Sequence, residues 1–137
     1  MALKLVALDP EDLAIISTYS HQAIVAIKNI QWDKDKNRII IGIKRYKWER
    51  DLSKQLDYNI PCDSDNFTDS ILHFERVSSL NHIGMDLSDL DKTYKLIALS
   101  YINADELGLN GDIILHFENS IAIKMKAECV EARLVDM

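Results

Sequence analysis

The sequence predicts an α+β domain in which a strand and one helix precede about six mostly antiparallel strands, forming a curved sheet or a partly closed barrel. Three observations support this class. A helix-start signal, Asp9-Pro10, follows a short apolar segment, and from residue 23 onward the chain has a β-like pattern of short apolar segments separated by polar ones. The length of 137 residues is that of one domain. We therefore expect a single domain over residues 1–137, with the helix covering one opening of the sheet.

The N-terminal elements are a short strand and a helix. Residues 3–8, LKLVAL, have the composition of a strand. Asp9 can accept a hydrogen bond from a free backbone N–H of the first turn, and Pro10 suits the first helical position. The acidic residues that follow complement the helix dipole. A modest apolar stripe continues from there, and we expect the helix to end near His21.

A β-hairpin is predicted next. Residues 23–32 and residues 38–48 have strand patterns, and a polar turn, DKDKN, joins them. The returning strand places three isoleucines on one face and two aromatic residues on the other: Ile39, Ile41 and Ile43 against Tyr46 and Trp48.

The remaining strands follow a long polar connection at residues 49–69, whose length is typical of a functional or mobile segment. Residues 128–136 fit both an extended and a helical pattern. We favour a bent strand there, because neither glycine nor proline interrupts the β pattern. Four more strands are predicted, with a tight turn at Glu118-Asn119-Ser120 between the last two: residues 70–79, 94–103, 112–118 and 120–127.

Charge and cysteine content exclude several classes. The net charge of -6 opposes binding of nucleic acid by the whole protein. Cys62 and Cys129 are far apart and form no CxxC pair, which argues against a disulfide framework. We expect one loop thiol, with Cys129 facing the core. The N-terminus lacks the pattern of a signal peptide, and no apolar run approaches about 20 residues, so we expect a cytoplasmic protein without membrane association.

The pentapeptide ILHFE occurs twice, at residues 71–75 and 114–118. In each copy the histidine and glutamate share one strand face, opposite leucine and phenylalanine. His73 and His116 form a candidate polar patch, and they could contribute to a metal site if their strands were neighbours. Strand alternation alone produces the same pattern, so we favour two solvated faces and predict no metal. The sequences outside the pentapeptide diverge at once, which argues against a duplication.

Positive charge is concentrated in residues 28–50, where eight Lys/Arg outnumber three Asp/Glu. Basic and aromatic residues on a β-ribbon can bind phosphates and stack bases. They can also dock an acidic protein surface, or pair with the acidic remainder of a second copy. The candidate binding surface comprises six residues of this segment: Trp32, Lys44, Arg45, Tyr46, Trp48 and Arg50.

Known catalytic motifs are missing from the sequence. It contains no GxSxG, P-loop, GxGxxG, HExxH or CxxC pattern, and its four glycines are too dispersed for a phosphate loop. We therefore expect a non-enzymatic module that binds a protein partner, a second copy of itself or a small ligand. No catalytic residue and no cofactor is predicted. The alternatives are a metal-dependent enzyme that uses the His73/His116 face and RNA binding through the hairpin.

Four sets of segments carry a resemblance that spans almost the whole chain. They are LKLVALDPEDLAIIS at the start, IQW with RIIIGIKRYKWE in the hairpin, FERV with GMD, and AECVEARLVD at the end. In these segments the chain resembles an uncharacterised alphaproteobacterial family of small proteins, a domain family of unknown function. The resemblance implies no activity, and it assigns no functional residue.

Overall fold

The structure, a computed structural model, describes residues 2–51, 66–103 and 110–137. These residues form one ten-residue α-helix, a single α-helical turn, a short 3-10 turn at Glu118–Ser120 and nine strands. In chain order the elements are β1 (Lys4–Ala7), α1 (Pro10–Tyr19), β2 (Ile24–Asp33), β3 (Arg38–Tyr46), α2 (Trp48–Asp51), β4 (Phe67–Phe74), β5 (Val77–Ile83), β6 (Thr93–Asn103), β7 (Gly111–Phe117), β8 (Ala122–Ala127) and β9 (Ala132–Asp136).

The nine strands pair antiparallel in one open sheet, in the order β1-β9-β4-β3-β2-β6-β7-β8-β5. The described fold is therefore mostly β with one main helix, which agrees broadly with the predicted class. The predicted strand number is wrong, because eight strands rather than about six follow α1. The C-terminal strand β9 lies between β1 and β4, so the two ends of the described chain meet at one side of the sheet.

Two breaks explain the additional strands. The predicted strand at residues 70–79 is divided at Arg76, whose φ of 58° is left-handed and ends the extended run. As a result β4 pairs with β3 and β9, whereas β5 pairs with β8 at the far edge. The C-terminal pattern is interrupted at residues 128–131, which separate β8 from β9. At the predicted tight turn, Asn119 also has a left-handed φ, of 65°.

The N-terminus of α1 has the predicted cap. Oδ1 of Asp9 accepts a hydrogen bond from the backbone N–H of Asp12 at 2.7 Å, and Pro10 occupies the first turn. The helix ends at Tyr19, slightly before the predicted end. The left-handed φ of Gln22, 65°, then turns the chain into β2.

Replacing Asp9 with alanine should lower the free energy of unfolding by about 1 kcal/mol, because it leaves a helical N–H without its side-chain acceptor. Urea denaturation followed by circular dichroism measures this change. Glu11→Ala is the matched control, since Glu11 is an exposed acid in the same turn and should change stability by less than about 0.5 kcal/mol. Equal losses in the two variants would contradict a specific capping role.

The core lies on the inner face of the sheet, where alternate residues of β3, β4 and β9 are buried together with one side of α1. Its members include Leu13, Ile16, Ile39, Ile41, Ile43, Leu72, Phe74, Ala132 and Leu134. The predicted inward orientation of Cys129 is wrong. Cys129 is exposed in the bend after β8, where Val130 is buried instead. Cys62 lies outside the described residues.

No helix in the described parts of the chain is both long enough and apolar enough to cross a membrane. Of the predicted connection at residues 49–69, the described ends form part of α2 and the start of β4. Its central part, residues 52–65, lies outside the described residues.

Candidate functional site

An apolar cleft with a volume of about 610 Å³ lies where the C-terminal half of α1 meets β6 and α2. We call it the Trp48 cleft. Seven described residues line it: Ile15, Ser17, Thr18, Tyr19, His21, Trp48 and Ile97. Its volume lies within the range of roughly 300–1,000 Å³ that is usual for small-molecule sites, and its lining combines apolar and aromatic side chains with a few polar groups.

Trp48 is held in place from two sides. Its indole Nε1–H donates a hydrogen bond to the carbonyl oxygen of His21 at 2.8 Å. Its ring meets Tyr46 edge-to-face at a centroid distance of 4.6 Å, and Tyr46 contacts Phe67 in the same way at 5.5 Å. These contacts connect the start of α2 to the segment that follows α1 and to the end of β3, so the indole forms a fixed wall of the cleft.

The polar groups of the cleft are partly occupied by the backbone. Nδ1 of His21 lies 2.8 Å from the carbonyl oxygen of Ile97, and a carbonyl only accepts, so Nδ1 carries the proton. In the tautomer that this contact selects, Nε2 is the acceptor of the ring, and no described residue bonds to it. Ser17 Oγ accepts the N–H of Leu99 at 2.8 Å, and Thr18 Oγ1 donates to the carbonyl of Ala14 at 3.0 Å. The lining therefore combines one ring acceptor, Nε2 of His21, with the hydroxyl groups of Ser17, Thr18 and Tyr19.

A second polar cluster lies at the ends of β3, β4 and β9. Arg45 is 0% exposed and donates to two carboxylates. Its Nε and Nη2 reach Oδ1 and Oδ2 of Asp136, each at 2.8 Å. Its Nη1 and Nη2 reach Oε1 and Oε2 of Glu49 at 2.9 and 2.7 Å. Nη1 also donates to the carbonyl of Tyr46 at 3.1 Å. The guanidinium thus engages two carboxylates through paired donors.

Asp136 is equally well bonded. Besides Arg45, it accepts the hydroxyl of Ser70 at 2.6 Å and the backbone N–H of Leu3 at 2.8 Å. Burial acts to raise the pKa of Asp136, but these hydrogen bonds outweigh it and lower the pKa from 3.8 to about 2. The hydrogen bonds from Arg45 likewise lower the pKa of Glu49. Both carboxylates of the cluster are therefore paired with Arg45. Asp136 also connects β9 to β3, β4 and the N-terminal segment.

The described residues of the predicted hairpin binding surface lie in different parts of the structure. Arg45 is in the buried cluster and Tyr46 is 5% exposed, so neither presents its polar or aromatic surface to a partner. Lys44 is exposed on the other face of β3, opposite Asp69 of β4. Trp32 is half-buried near the hairpin tip and packs against the core, whereas Trp48 lines the cleft. The side chain of Arg50 lies outside the described part. These described residues do not form a continuous row of exposed rings and cations.

The two ILHFE histidines belong to different parts of the sheet. His73 is on β4 and His116 is on β7, with three strands between them. Four strand spacings correspond to roughly 19 Å, which is too far for two ligands of one metal ion. Within the described residues, no group of three or more His, Cys, Asp or Glu side chains is placed to hold a metal.

Each histidine has its own neighbours. Nε2 of His116 lies 2.8 Å from Ser100 Oγ on the exposed face of β6 and β7. Nε2 of His73 lies 2.9 Å from Oε1 of Glu75, an oxygen that already accepts Nε of Arg38 at 2.7 Å. The His73 contact lacks hydrogen-bond geometry, so Nε2 makes no hydrogen bond to a described residue. The arrangement is two separate polar patches.

Comparison with known proteins identifies a family but no individual relative of known function or structure. No curated protein and no solved structure matches the chain significantly. The model of one family, DUF2948, described as a protein of unknown function, matches residues 3–137. This confirms the resemblance to a small domain family without assigned activity. The chain therefore belongs to the DUF2948 family of proteins of unknown function.

Proposed function

We propose that the protein is a non-enzymatic binding module and that the Trp48 cleft receives a small, predominantly apolar ligand. The cleft itself is the observation that carries this proposal, because its volume and its aromatic lining are those of a small-molecule site. Formation of a homodimer, binding of a protein partner and a cytoplasmic location stay predictions from the sequence.

The construction of the cleft supports the proposal. Its walls come from α1, β6 and the start of α2, and hydrogen bonds fix their relative positions: Trp48 to the carbonyl of His21, and Leu99 to Ser17. A preformed cleft requires little ordering when a ligand enters, which favours affinity. The buried Arg45 also anchors α2, because it bonds to Glu49, the residue that follows Trp48.

Toluene is a suitable first probe, since it is apolar, uncharged and small enough for the cleft. Saturation-transfer NMR should detect its binding to the wild-type protein at millimolar concentration. Trp48→Ala should weaken that binding at least about tenfold, because it removes the largest apolar wall of the cleft.

Trp32→Ala is the matched control. It also removes a half-buried tryptophan, but one outside the cleft lining, so toluene binding should be unchanged. Circular dichroism establishes that both variants remain folded. Equal toluene binding by wild type and Trp48→Ala, or no binding by wild type, would contradict the proposal.

A further inference from the structure

We infer that the Trp48 cleft selects a flat, uncharged aromatic ligand that donates a hydrogen bond to Nε2 of His21. This inference rests on the proposed function and narrows it to a chemical class of ligand. Three properties of the cleft carry it: the arrangement of its rings, the absence of Lys, Arg, Asp and Glu from its described lining, and the hydrogen-bonding state of one imidazole.

The rings of the cleft favour a flat ligand. The imidazole of His21 and the indole of Trp48 have a centroid distance of 5.8 Å and an interplanar angle of 32°. Tyr19 adds a third ring to the lining, and Ile15 and Ile97 supply aliphatic surface. Offset or edge-to-face packing between aromatic rings adds to the free energy of apolar burial, so an aromatic ligand gains more here than an aliphatic one of equal area.

None of the seven described lining residues is Lys, Arg, Asp or Glu, so the lining supplies no carboxylate, ammonium or guanidinium group. A charged ligand would lose its hydration without meeting an opposite charge among these groups. Arg45 and Glu49, which are close to Trp48 in sequence, do not offer that compensation because they are bonded to each other, and the adjacent Lys47 is not among the lining residues. An uncharged ligand is the complementary choice.

His21 supplies the directional contact. Its Nδ1–H is fixed on the carbonyl of Ile97, which sets the tautomer and leaves Nε2 as an acceptor with no described partner. A ligand N–H or O–H satisfies that acceptor, and a ligand without a donor leaves it unpaired when water is displaced. Leaving a buried acceptor unpaired costs more free energy than the hydrogen bond itself contributes. Ligands with a donor are therefore preferred over ligands without one.

Indole and 1-methylindole test this class, because they share a ring system and differ at the single N–H donor. We would titrate each into ¹⁵N-labelled protein and follow the backbone signals of Thr18 and Tyr19 together with the Nε1–H signal of Trp48. Indole should bind the wild-type protein at least about fivefold more tightly than 1-methylindole does, which is the ratio that one hydrogen bond ordinarily supplies. Benzoate, a flat anion of similar size, should not shift these signals.

His21→Asn is the matched variant. The asparagine amide can keep the N–H that faces the carbonyl of Ile97 and removes the ring acceptor at Nε2. In this variant indole and 1-methylindole should bind equally, which separates the missing hydrogen bond from any steric effect of the methyl group.

The outcomes separate the two proposals. Equal affinity of the two indoles for the wild-type protein would overturn the ligand class and leave a nonselective apolar cleft, as would tight binding of benzoate. No shift with either indole or with toluene would overturn the proposed function as well. Equal affinities of the two indoles for the wild-type protein overturn the ligand class even if His21→Asn does not fold.

Discussion

Arg45→Met is expected to lower the free energy of unfolding by about 3–5 kcal/mol, the largest effect of any substitution considered. Methionine occupies a similar length in the core but removes every donor of the guanidinium. Asp136, whose side chain is 7% exposed, then becomes a buried carboxylate without its cation. Because domains of this size are stable by only about 5–15 kcal/mol, the loss is a large part of the total. Urea denaturation followed by tryptophan fluorescence gives the value.

Two further variants make this expectation specific. Lys44→Met removes an exposed cation from the adjacent position of the same strand and should change stability by less than about 0.5 kcal/mol. In Arg45→Met/Asp136→Asn, the unpaired carboxylate is also removed, so the double variant should be more stable than Arg45→Met alone. A loss below about 1 kcal/mol in Arg45→Met would show that the cluster is solvated rather than buried.

The alternation of inward and outward residues along the strands indicates that the Arg45 cluster lies on the core face of the sheet. Arg45 lies two residues after Ile43, Asp136 two residues after Leu134, and Ser70 two residues before Leu72, so each shares a strand face with core residues. The sequence interpretation treated Arg45 as a surface cation, because arginine is rarely fully buried without a partner. Its partner Asp136 could not be identified from the sequence, since it is 91 residues away and pairs only through the strand order.

Local signals predicted the parts of the fold that local interactions determine. The Asp9 cap, the DKDKN hairpin and the turn at Asn119 all depend on neighbours within a few residues. The insertion of β9 between β1 and β4 depends on pairing between the two ends of the chain. The same limitation applies to the ILHFE histidines, because two identical pentapeptides contain no information about how many strands separate them.

The cleft was only partly predictable for the same reason. Trp48 stands out in the sequence as a tryptophan in a basic segment, and it does line the cleft. The hairpin pattern assigned it to a surface with Lys44 and Arg45, whereas α2 begins at Trp48 and turns its indole toward α1. His21 carried no motif, and its role as an acceptor follows only from its contact with Ile97, which is 76 residues away.

Stability should also fall in acid through Asp136. Its folded-state pKa, about 2, is below the ordinary value of 3.8, so the folded state holds the ionised form more strongly than the unfolded state does. The stabilisation by ionised Asp136 is therefore complete above the pKa of this group in the unfolded state, and it is lost as pH falls through its pKa in the folded state. A shift of this size corresponds to about 2 kcal/mol, lost between about pH 5 and pH 2. The lowered pKa of Glu49 acts in the same direction.

Other carboxylates of the protein also titrate in this range, so the difference between two proteins isolates the contribution of Asp136. Asp136→Asn cannot ionise, and it should be less stable than wild type near pH 7 by an amount that shrinks as the wild-type carboxylate becomes protonated. Urea denaturation of both proteins at several pH values from 7 to 2.5 gives this difference directly. A difference that stays constant over that range would contradict a charged Asp136, because a neutral carboxyl group would contribute the same stability at every pH.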